Sequence, residues 1–313
     1  MKRRSFLAAA GAGCLGWTVG KPFPQRRSLD GERLVVRWSW AMGQSVKLLL
    51  FVPDEDAGLE AAQAALAELR RVEAALSLFD PASDLVALNQ RAGKGPVRVG
   101  PDLLAALVAA ERFRRATGGA FDPAVEPLMR AWGFREPRAA APSEAELTEA
   151  RAAVRAARVE FRGAAVMLPA SHTRLDLGGI GVGYGLDRAG AVLRRAGVRR
   201  ALLDLSGDLL ALGTPPGHAG WPVDVAHPSG DGVLRTVLLR DAALATSANT
   251  MTMVRYGAIT CGHVLDPETG RGACALTQVT AIADTAVTAD ALSTGMLVSG
   301  RRPAGLRGVV AVI

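Results

Sequence analysis

The irregular order of strand and helix patterns restricts the fold of this chain more than any single motif does. Two strand patterns come first, at residues 34–40 and 46–52, and two helical patterns follow at residues 59–79 and 101–116. A parallel βαβ fold would instead alternate single strands with helices in a regular rhythm. The absence of that rhythm predicts an α+β fold.

The rest of the chain continues this mixture of short strands and helices. Residues 136–149, rich in alanine, proline and glutamate, are expected to form a surface excursion or a short helix. Arg162 and Gly163 separate two apolar runs and predict a hairpin. In chain order, the remaining predicted elements are strands at 159–161 and 165–168, a helix at 184–196, a strand at 201–205, short strands between 221 and 265, a strand at 279–283 and a helix at 286–299.

Composition and charge narrow the class of protein. The 313 residues are 49% hydrophobic, which is enough apolar material for one large domain or two small ones. The net charge of +7 includes Lys2, Arg3 and Arg4 at the amino terminus. Aromatic residues make up only 5% of the chain, and no basic run is interleaved with them. Nucleic acid is therefore not an expected partner.

The amino terminus has the pattern of an export signal. Lys2, Arg3 and Arg4 precede a short stretch, residues 6–19, that is rich in alanine and glycine. Paired arginines before a weakly apolar stretch are typical of a twin-arginine signal, with an ordinary Sec signal as the alternative. The stretch is too short and too glycine-rich for a transmembrane helix. We expect residues 1–28 to be signal and linker, and the protein to act in the periplasm.

The three cysteines leave two questions open. Cys14 ends a Gly-Ala-Gly-Cys run, so a lipid anchor is one alternative, although leucine usually stands where Gly11 does. Cys261 and Cys274 allow a disulfide in an oxidising periplasm. Two buried free thiols are the other interpretation.

A glycine-rich segment opens the helix predicted at residues 184–196. Residues 176–184 read DLGGIGVGY, and backbone N–H groups at a helix start favour an anion such as phosphate. A dinucleotide fingerprint that begins at Gly179 and Gly181 would need glycine in place of Tyr184, so a Rossmann interpretation fails. Close packing against a neighbouring helix is the alternative explanation for the glycines.

Polar residues on the last predicted helix suggest a cation site. Asp290 and Thr294 lie four residues apart, so their oxygens share one helix face. A carboxylate and a hydroxyl suit Mg²⁺, which prefers oxygen ligands and often shares them with substrate phosphates. The alternative is that Asp290 helps to cap its own helix. His263 precedes an Asp-Pro-Glu-Thr-Gly turn, where a single histidine is either structural or catalytic.

Taken together, these segments resemble the ApbE family of FAD:protein FMN transferases. Each segment is short, and the specificity lies in the ordered set. The similarity runs from about residue 33 to the carboxyl terminus. The matching segments are residues 41–43, 77–89, 119–123, 176–187, 206–208, 246–247, 263–270 and 290–294.

The resemblance implies an α+β fold with mixed, largely antiparallel sheets and packed helices, built as one domain over residues 33–313. It also implies Mg²⁺-dependent transfer of FMN from FAD to a Ser or Thr hydroxyl of an acceptor protein, with release of AMP. The acceptor would be a subunit of a membrane redox complex or a related electron-transfer protein outside the cytoplasm.

The resemblance further assigns roles to individual residues. His263 and Asp290 are the candidate catalytic residues, either of which would help to deprotonate the acceptor hydroxyl. Mg²⁺ would be held by the backbone carbonyl of Gly179 and the side chains of Asp290 and Thr294, with Ser293 adjacent. The residues expected to contact FAD are Met42, Phe79, Ala120, Phe121, Asp122, Asp176, Val182 and Val264.

Several positions depart from the family's usual residues. Val182 stands where Lys or an acid is common, and Phe79 stands where tyrosine is common, so each removes a polar contact to FAD. Gln44, Ser206 and Ala248 also differ from the family's pattern. Two alternatives to the transferase remain open: a non-catalytic periplasmic FAD-binding carrier or maturation protein, and an FAD pyrophosphatase that yields FMN and AMP.

Overall fold

Helices and strands follow one another irregularly in the computed structural model, which describes residues 31–250, 252–303 and 310–312. The predicted export signal, including Cys14, lies outside these residues. The helices are α1 Glu55–Leu76, α2 Asp84–Gln90, α3 Pro101–Ala116, α4 Glu126–Ala131, α5 Glu144–Ala156, α6 Gly181–Arg195 and α7 Ala286–Ser299. The strands are β1 Arg33–Ala41, β2 Gln44–Val52, β3 Val97–Arg98, β4 Glu160–Arg162, β5 Ala165–Met167, β6 Arg200–Leu205, β7 Asp208–Leu212, β8 Trp221–Ala226, β9 Val233–Leu239, β10 Ala243–Ala248, β11 Met253–Tyr256, β12 Ile259–Gly262, β13 Gln278–Ala283 and β14 Val310–Val312.

A seven-stranded sheet is the frame of the molecule. Its strand order is β1-β2-β6-β7-β10-β13-β14, and every neighbouring pair is antiparallel. Strand β2 lies inside this sheet, and its run from Leu48 to Val52 is buried throughout because elements cover both faces. The predicted α+β fold with antiparallel sheets is confirmed.

Two layers cover the two faces of this sheet. Helices α1, α6 and α7 pack on one face and form the main hydrophobic core with it. The β8–β9 hairpin covers part of the other face, where the Trp221 ring lies 5.8 Å from that of Phe51. Helix α7 is buried on nearly all sides, as expected for a helix that is apolar around its circumference. Asp290 and Ser293 are therefore buried polar residues in an apolar helix.

A smaller apolar cluster anchors the segment that follows β12. Leu128 and Trp132 pack with Leu147 of α5 and with Leu265. The Trp132 indole N–H donates a hydrogen bond to the carbonyl of Gly270 at 2.7 Å. This cluster therefore fixes residues 263–270 against α4 and α5.

Most of the predicted elements are observed with small shifts. The helices predicted at 101–116 and 286–299 begin and end as predicted, and Gly300 ends the last with a φ of 65°. The helix predicted from residue 184 begins at Gly181 instead. The segment at 136–149 contains the start of α5, which continues to Ala156. None of the described helices is long and apolar enough to cross a membrane.

Neither interpretation of the two later cysteines is fully correct. Cys261 and Cys274 are both free thiols, so the disulfide is absent. Cys261 is buried in the small cluster, and this burial raises the pKa of its thiol to about 11. Cys274 is exposed, because it lies in an irregular segment after β12 rather than in a strand or helix.

Candidate functional site

Two hairpin turns lie side by side at one end of the large sheet. The turn between β1 and β2 consists of Met42 and Gly43, with φ values of 55° and 72°. The turn between β6 and β7 consists of Ser206 and Gly207, with φ values of 49° and 106°. Two-residue turns with positive φ at both positions match the twist of antiparallel strands. The hydroxyl oxygens of Ser45 and Ser206 are 3.1 Å apart, which joins the two turns.

Helices α6 and α7 cap each other beside these turns. The Gly183 N–H in the first turn of α6 donates to Asp290 of α7 at 2.9 Å. In return, Asp187 of α6 accepts the N–H groups of Ala286 and Val287 at the start of α7, at 2.8 and 2.9 Å. These bonds satisfy N–H groups that have no partner within their own helix. Asp290 thus caps the neighbouring helix, and the interpretation that it caps its own helix is wrong.

Two glycines of α6 lie where neighbouring residues leave no room for a side chain. A Cβ atom at Gly183 would lie 2.3 Å from the carbonyl oxygen of Ala286. One at Gly185 would lie 2.7 Å from the sulfur of Met42. Close packing, the alternative to phosphate binding for the glycine-rich segment, explains these two glycines. Gly181 has only the Met42 methyl within 4 Å of such an atom, at 3.9 Å, so packing does not account for it.

Three of the four residues predicted to hold a metal, Gly179, Ser293 and Thr294, meet at one cluster of oxygen atoms, which Asp290 joins through its backbone carbonyl. A Cβ atom at Gly179 would lie 3.2 Å from the Thr294 hydroxyl oxygen, so the two residues are in contact. The Ser247 hydroxyl oxygen lies 3.2 Å from that of Thr294 and 2.8 Å from that of Ser293. Ser293 in turn donates to the backbone carbonyl of Asp290 at 2.9 Å. Ser247 belongs to this cluster although no role was predicted for it.

Asp208 is a second buried carboxylate, close to Asp290, and although it lies in the matched segment 206–208, no role was predicted for it. Its side chain accepts the Thr246 N–H at 3.4 Å. Burial raises the pKa of Asp290 to about 7, and burial and then the charge of Asp290 raise the pKa of Asp208 well above its ordinary value. Within the described residues, neither carboxylate forms an ion pair. Two acids that resist ionisation side by side are a recurrent feature of functional sites.

A second group of predicted residues is held together by an arginine. The guanidinium of Arg135 lies 5.6 Å from the centre of the Phe79 ring and forms an ion pair with Asp176. Phe79 is 73% exposed, so its outer ring face is free for stacking. Phe79 and Arg135 line a cavity of about 310 Å³. Arg135 was not predicted, and its only signal was its position directly after an aromatic segment.

The predicted flavin-binding segment at residues 120–122 divides its side chains between two environments. Ala120 and Asp122 line a larger cavity of about 1010 Å³, which Arg114 and Arg158 also line. Burial raises the pKa of Asp122 to about 6. The Phe121 ring is 3% exposed and belongs to the main core. It lies under Gly179 and Gly295, so it supports the site from below.

The remaining apolar candidates, Met42, Val182 and Val264, are half-buried against the main core. Val264 is held by Asn249, whose side-chain oxygen accepts the Val264 N–H at 2.9 Å. The Asn249 amide donates to the carbonyls of Val264 and Ala273 at 3.0 and 2.8 Å. Asn249 thereby ties two neighbouring segments together and fixes the residue next to His263. Its role was not predicted.

His263 is a half-buried histidine with one buried, unused ring nitrogen. Its Nδ1 atom is buried and has no hydrogen-bond partner among the described residues. Its backbone N–H donates to Thr252 at 3.0 Å. Burial lowers the pKa of the imidazole, and the nearby charge of Asp176 partly opposes this shift. The ring is therefore neutral at pH 7 and has the capacity to accept a proton.

The amino-acid sequence of this chain is similar to those of known proteins. A model of the ApbE family matches residues 42–307. The curated FAD:protein FMN transferase of Treponema pallidum is 33% identical over 251 residues, covering 74% of this chain and 69% of the relative. That of Vibrio cholerae is 28% identical over 238 residues, covering 74% and 71%.

Solved structures give the same result for the fold. The ApbE protein from Thermotoga maritima superposes with a TM-score of 0.77 at 30% identity, covering 85% of this chain and 87% of that one. The flavin transferase ApbE from Vibrio cholerae superposes with a TM-score of 0.75 at 25% identity, with the same coverage. The chain therefore belongs to the ApbE family and is an enzyme of the transferase class.

Proposed function

We propose that this enzyme transfers FMN from FAD to a Ser or Thr hydroxyl of an acceptor protein, requires Mg²⁺ and releases AMP. The observation that carries the proposal is an oxygen cluster: the hydroxyls of Ser247, Ser293 and Thr294 are linked to one another, and Asp290 of the same helix interacts with a second buried acid, Asp208. Neither acid forms an ion pair among the described residues. The names of the curated relatives, FAD:protein FMN transferase, support the choice of FAD and of a protein acceptor.

The donor set of this cluster suits Mg²⁺. No three His, Cys, Asp or Glu side chains converge as a metal cluster in the described part of the chain, so a cation here would also use carbonyl and hydroxyl oxygens. Gly179, Asp290 and Thr294 would supply such oxygens, and hard cations favour them. When bound, the ion would neutralise charge on the pyrophosphate of FAD.

The aromatic and cationic groups beside the cluster suit the rest of FAD. Phe79 offers an exposed ring face for a planar group. Arg135, held in place by Asp176, offers positive charge to a phosphate or a ring edge. Val182 contributes only apolar contact, so orientation of FAD depends more heavily on Arg135 than on the helix start.

His263 would take the proton in the transfer step. The acceptor oxygen forms a bond to the FMN-side phosphorus of FAD, the bond from that phosphorus to the bridging oxygen breaks, and AMP departs. The acceptor hydroxyl must lose its proton as it attacks. The buried, unpartnered Nδ1 of His263 and the lowered pKa of its ring suit this acceptance.

One assay separates the transferase from its two alternatives. The purified protein is incubated with FAD, Mg²⁺ and an acceptor domain that carries a flavinylation motif. Acid-stable flavin on the acceptor with equimolar AMP is the expected result. Free FMN and AMP would instead identify a pyrophosphatase, and bound but intact FAD would identify a carrier.

A matched pair of histidine variants tests the proton transfer. His263→Gln is expected to reduce covalent transfer by about 10²-fold or more. His172→Gln, at an exposed histidine in a loop, is expected to leave the rate unchanged. Equal rates for both variants would remove His263 from the mechanism.

We further propose that the protein works outside the cytoplasm, after export by its amino-terminal twin-arginine pattern, on a subunit of a membrane redox complex or a related electron-transfer protein. Cell fractionation tests the export step. Replacing Arg3 and Arg4 by lysine should retain the protein in the cytoplasm if the twin-arginine route is used, whereas a Sec signal would tolerate the change.

A further inference from the structure

An exposed apolar stripe follows the edge strand of the large sheet. Strand β1 is the first strand of that sheet, and among the described residues it pairs only with β2. Val36, Trp38 and Trp40 alternate along one face of it and are 41%, 67% and 52% exposed. Surface tryptophans placed at this spacing are uncommon unless they serve as contacts.

The open backbone groups of the edge belong to the same residues. The two-residue turn pairs Ala41 with Gln44, and the residues that flank such a turn form a hydrogen-bonded pair. Hydrogen-bonded pairs then recur at every second residue, so Ser39 and Arg37 face β2. The N–H and C=O groups of Val36, Trp38 and Trp40 point away from the sheet.

Strand β1 lacks three of the devices that usually protect an edge: shortness, proline and a bulge. It is nine residues long, contains no proline, and keeps an uninterrupted register without a bulge. Long, regular and apolar edges of this kind accept a further strand.

The edge leads directly into the site. Strand β1 ends at Ala41, and the next residue, Met42, packs against Gly185 of α6. An extended polypeptide advances about 3.4 Å per residue. A segment paired along Val36–Trp40 therefore brings a residue only a few positions further on to the site end of the sheet.

The charge along the edge favours an acidic partner over a second copy of this chain. Strand β1 contains no acid and carries Arg37 and Arg33, of which Arg33 forms an ion pair with Glu55 of α1 at 3.6 Å. Lys47 on β2 lies 4.9 Å from the centre of the Trp38 ring, and Arg70 of α1 donates to Ser39 at 3.2 Å. Antiparallel pairing of two β1 strands about Val35 or Arg37 would bring their arginines together, which is unfavourable.

We propose that an extended, acidic segment of the acceptor protein adds to β1 as an extra strand and delivers its Ser or Thr to the oxygen cluster. The proposal builds on the transfer reaction proposed above. Backbone hydrogen bonds to the edge would give affinity, and the tryptophan stripe and the basic residues would select the segment.

The test compares edge variants in the transfer assay with the same acceptor domain. Val36→Pro removes one outward N–H and is tolerated at an open edge. Trp38→Glu with Trp40→Glu removes the apolar stripe and repels an acidic segment. Each is expected to raise the KM for the acceptor by about tenfold or more, with kcat and FAD affinity unchanged. Leu238→Glu, at a 61% exposed residue of β9, is the matched control and should change nothing.

The outcomes separate this proposal from the proposed function. Absence of transfer by the unaltered protein would refute the function itself. Normal transfer with an unchanged acceptor KM in the edge variants would refute the docking proposal alone. The docking proposal would also be refuted if the edge variants abolished dimerisation, or binding to anionic lipid vesicles, and left the KM for the acceptor unchanged.

Discussion

Helix α6 has carboxylate clusters on two of its faces, and their charges are balanced in different ways. On the side of α1 and α3, Glu68 and Asp102 are held by arginines. Arg71 bonds to both of them, and Arg188 of α6 contacts Glu68 at 2.9 Å. Tyr184 of α6 donates to Asp102 at 3.0 Å. Hydrogen bonding to Arg71 is the main reason that the pKa of Glu68 falls to about 2.

On the side of α7, no arginine among the described residues pairs with Asp208 or Asp290. Asp290 receives one backbone hydrogen bond, from Gly183, and Asp208 receives one from Thr246. Burial raises the pKa of both carboxyl groups; the charge of Asp290 adds to the shift of Asp208, and the charge of Asp187 adds to that of Asp290. We call the first group the paired cluster and the second the unpaired cluster.

Both clusters contain a buried acidic side chain, so burial of a carboxylate does not by itself identify a functional site. The paired cluster is complete within the chain and contributes to stability. The unpaired cluster reduces stability in the absence of a ligand, as is common where function requires charge that is not neutralised. Four predictions test this distinction, in order of decreasing expected effect.

Asp290→Asn should have the largest effect. The amide keeps an oxygen for the Gly183 N–H but loses the negative charge that would hold Mg²⁺. We expect kcat for transfer to fall by about 10³-fold and its dependence on Mg²⁺ to disappear. Titration of Mg²⁺ in the transfer assay measures both, with Glu68→Gln of the paired cluster as a control expected to keep its activity. Unchanged Mg²⁺-dependent turnover would rule out the assignment.

Glu68→Gln should instead reduce stability, by about 2 kcal/mol at pH 7. A carboxyl group whose folded pKa is depressed contributes stability that is present above its unfolded pKa of 4.5 and is lost as the pH falls towards 2. The difference between the variant and the unaltered protein should therefore shrink across that range. Urea unfolding at several pH values measures it, and a constant difference would contradict the role of the ion pairs.

Asp208→Asn should stabilise the protein by about 1 kcal/mol at pH 8 when EDTA removes divalent cations. A raised folded pKa means that the unaltered protein loses stability as the pH rises above the unfolded value of 3.8. The variant lacks this loss. Adding Mg²⁺ should then raise the Tm of the unaltered protein more than that of the variant, and equal shifts would argue against a cation at this cluster.

Asp122→Asn should produce a smaller gain, below about 1 kcal/mol, because the hydrogen bond from the Ala124 N–H and then the charge of Arg114 partly offset the burial of this carboxylate. In the unaltered protein, ionisation of Asp122 lowers the free energy of unfolding as the pH rises from 3.8 to about 6. The gain should thus be absent at pH 3.5 and complete at pH 7. The exposed Asp231 provides the control substitution, which should change stability at neither pH.

The secondary structure was largely predictable because its signals are local. The apolar spacing and flanking residues of α3 and α7 were sufficient to place both ends of each helix. The start of α6 was predicted three residues late. Its first turn is formed by Gly181, Val182 and Gly183, and this glycine-rich turn is held by Asp290, which lies 107 positions away.

The residues proposed for the site divide along the same line. Asp290, Thr294 and Gly179 were identified because they lie in motifs with fixed spacing, and the structure brings them together. Asp208 and Arg135 were missed because each depends on contacts that spacing does not reveal. Asp208 meets Thr246 and Asp290 only through the pairing of β7 with β10 and the packing of α7. Arg135 meets Asp176 across 41 positions of the chain.

The sequence by itself determined the α+β class, the helices and the set of motifs that identify the family, since periodicity and short-range spacing encode them. Only the tertiary structure decided which acids are neutralised and which are left without a partner. Whether a carboxylate ionises depends on burial and on charges within a few ångströms. Those neighbours come from distant parts of the chain, and only folding brings them together.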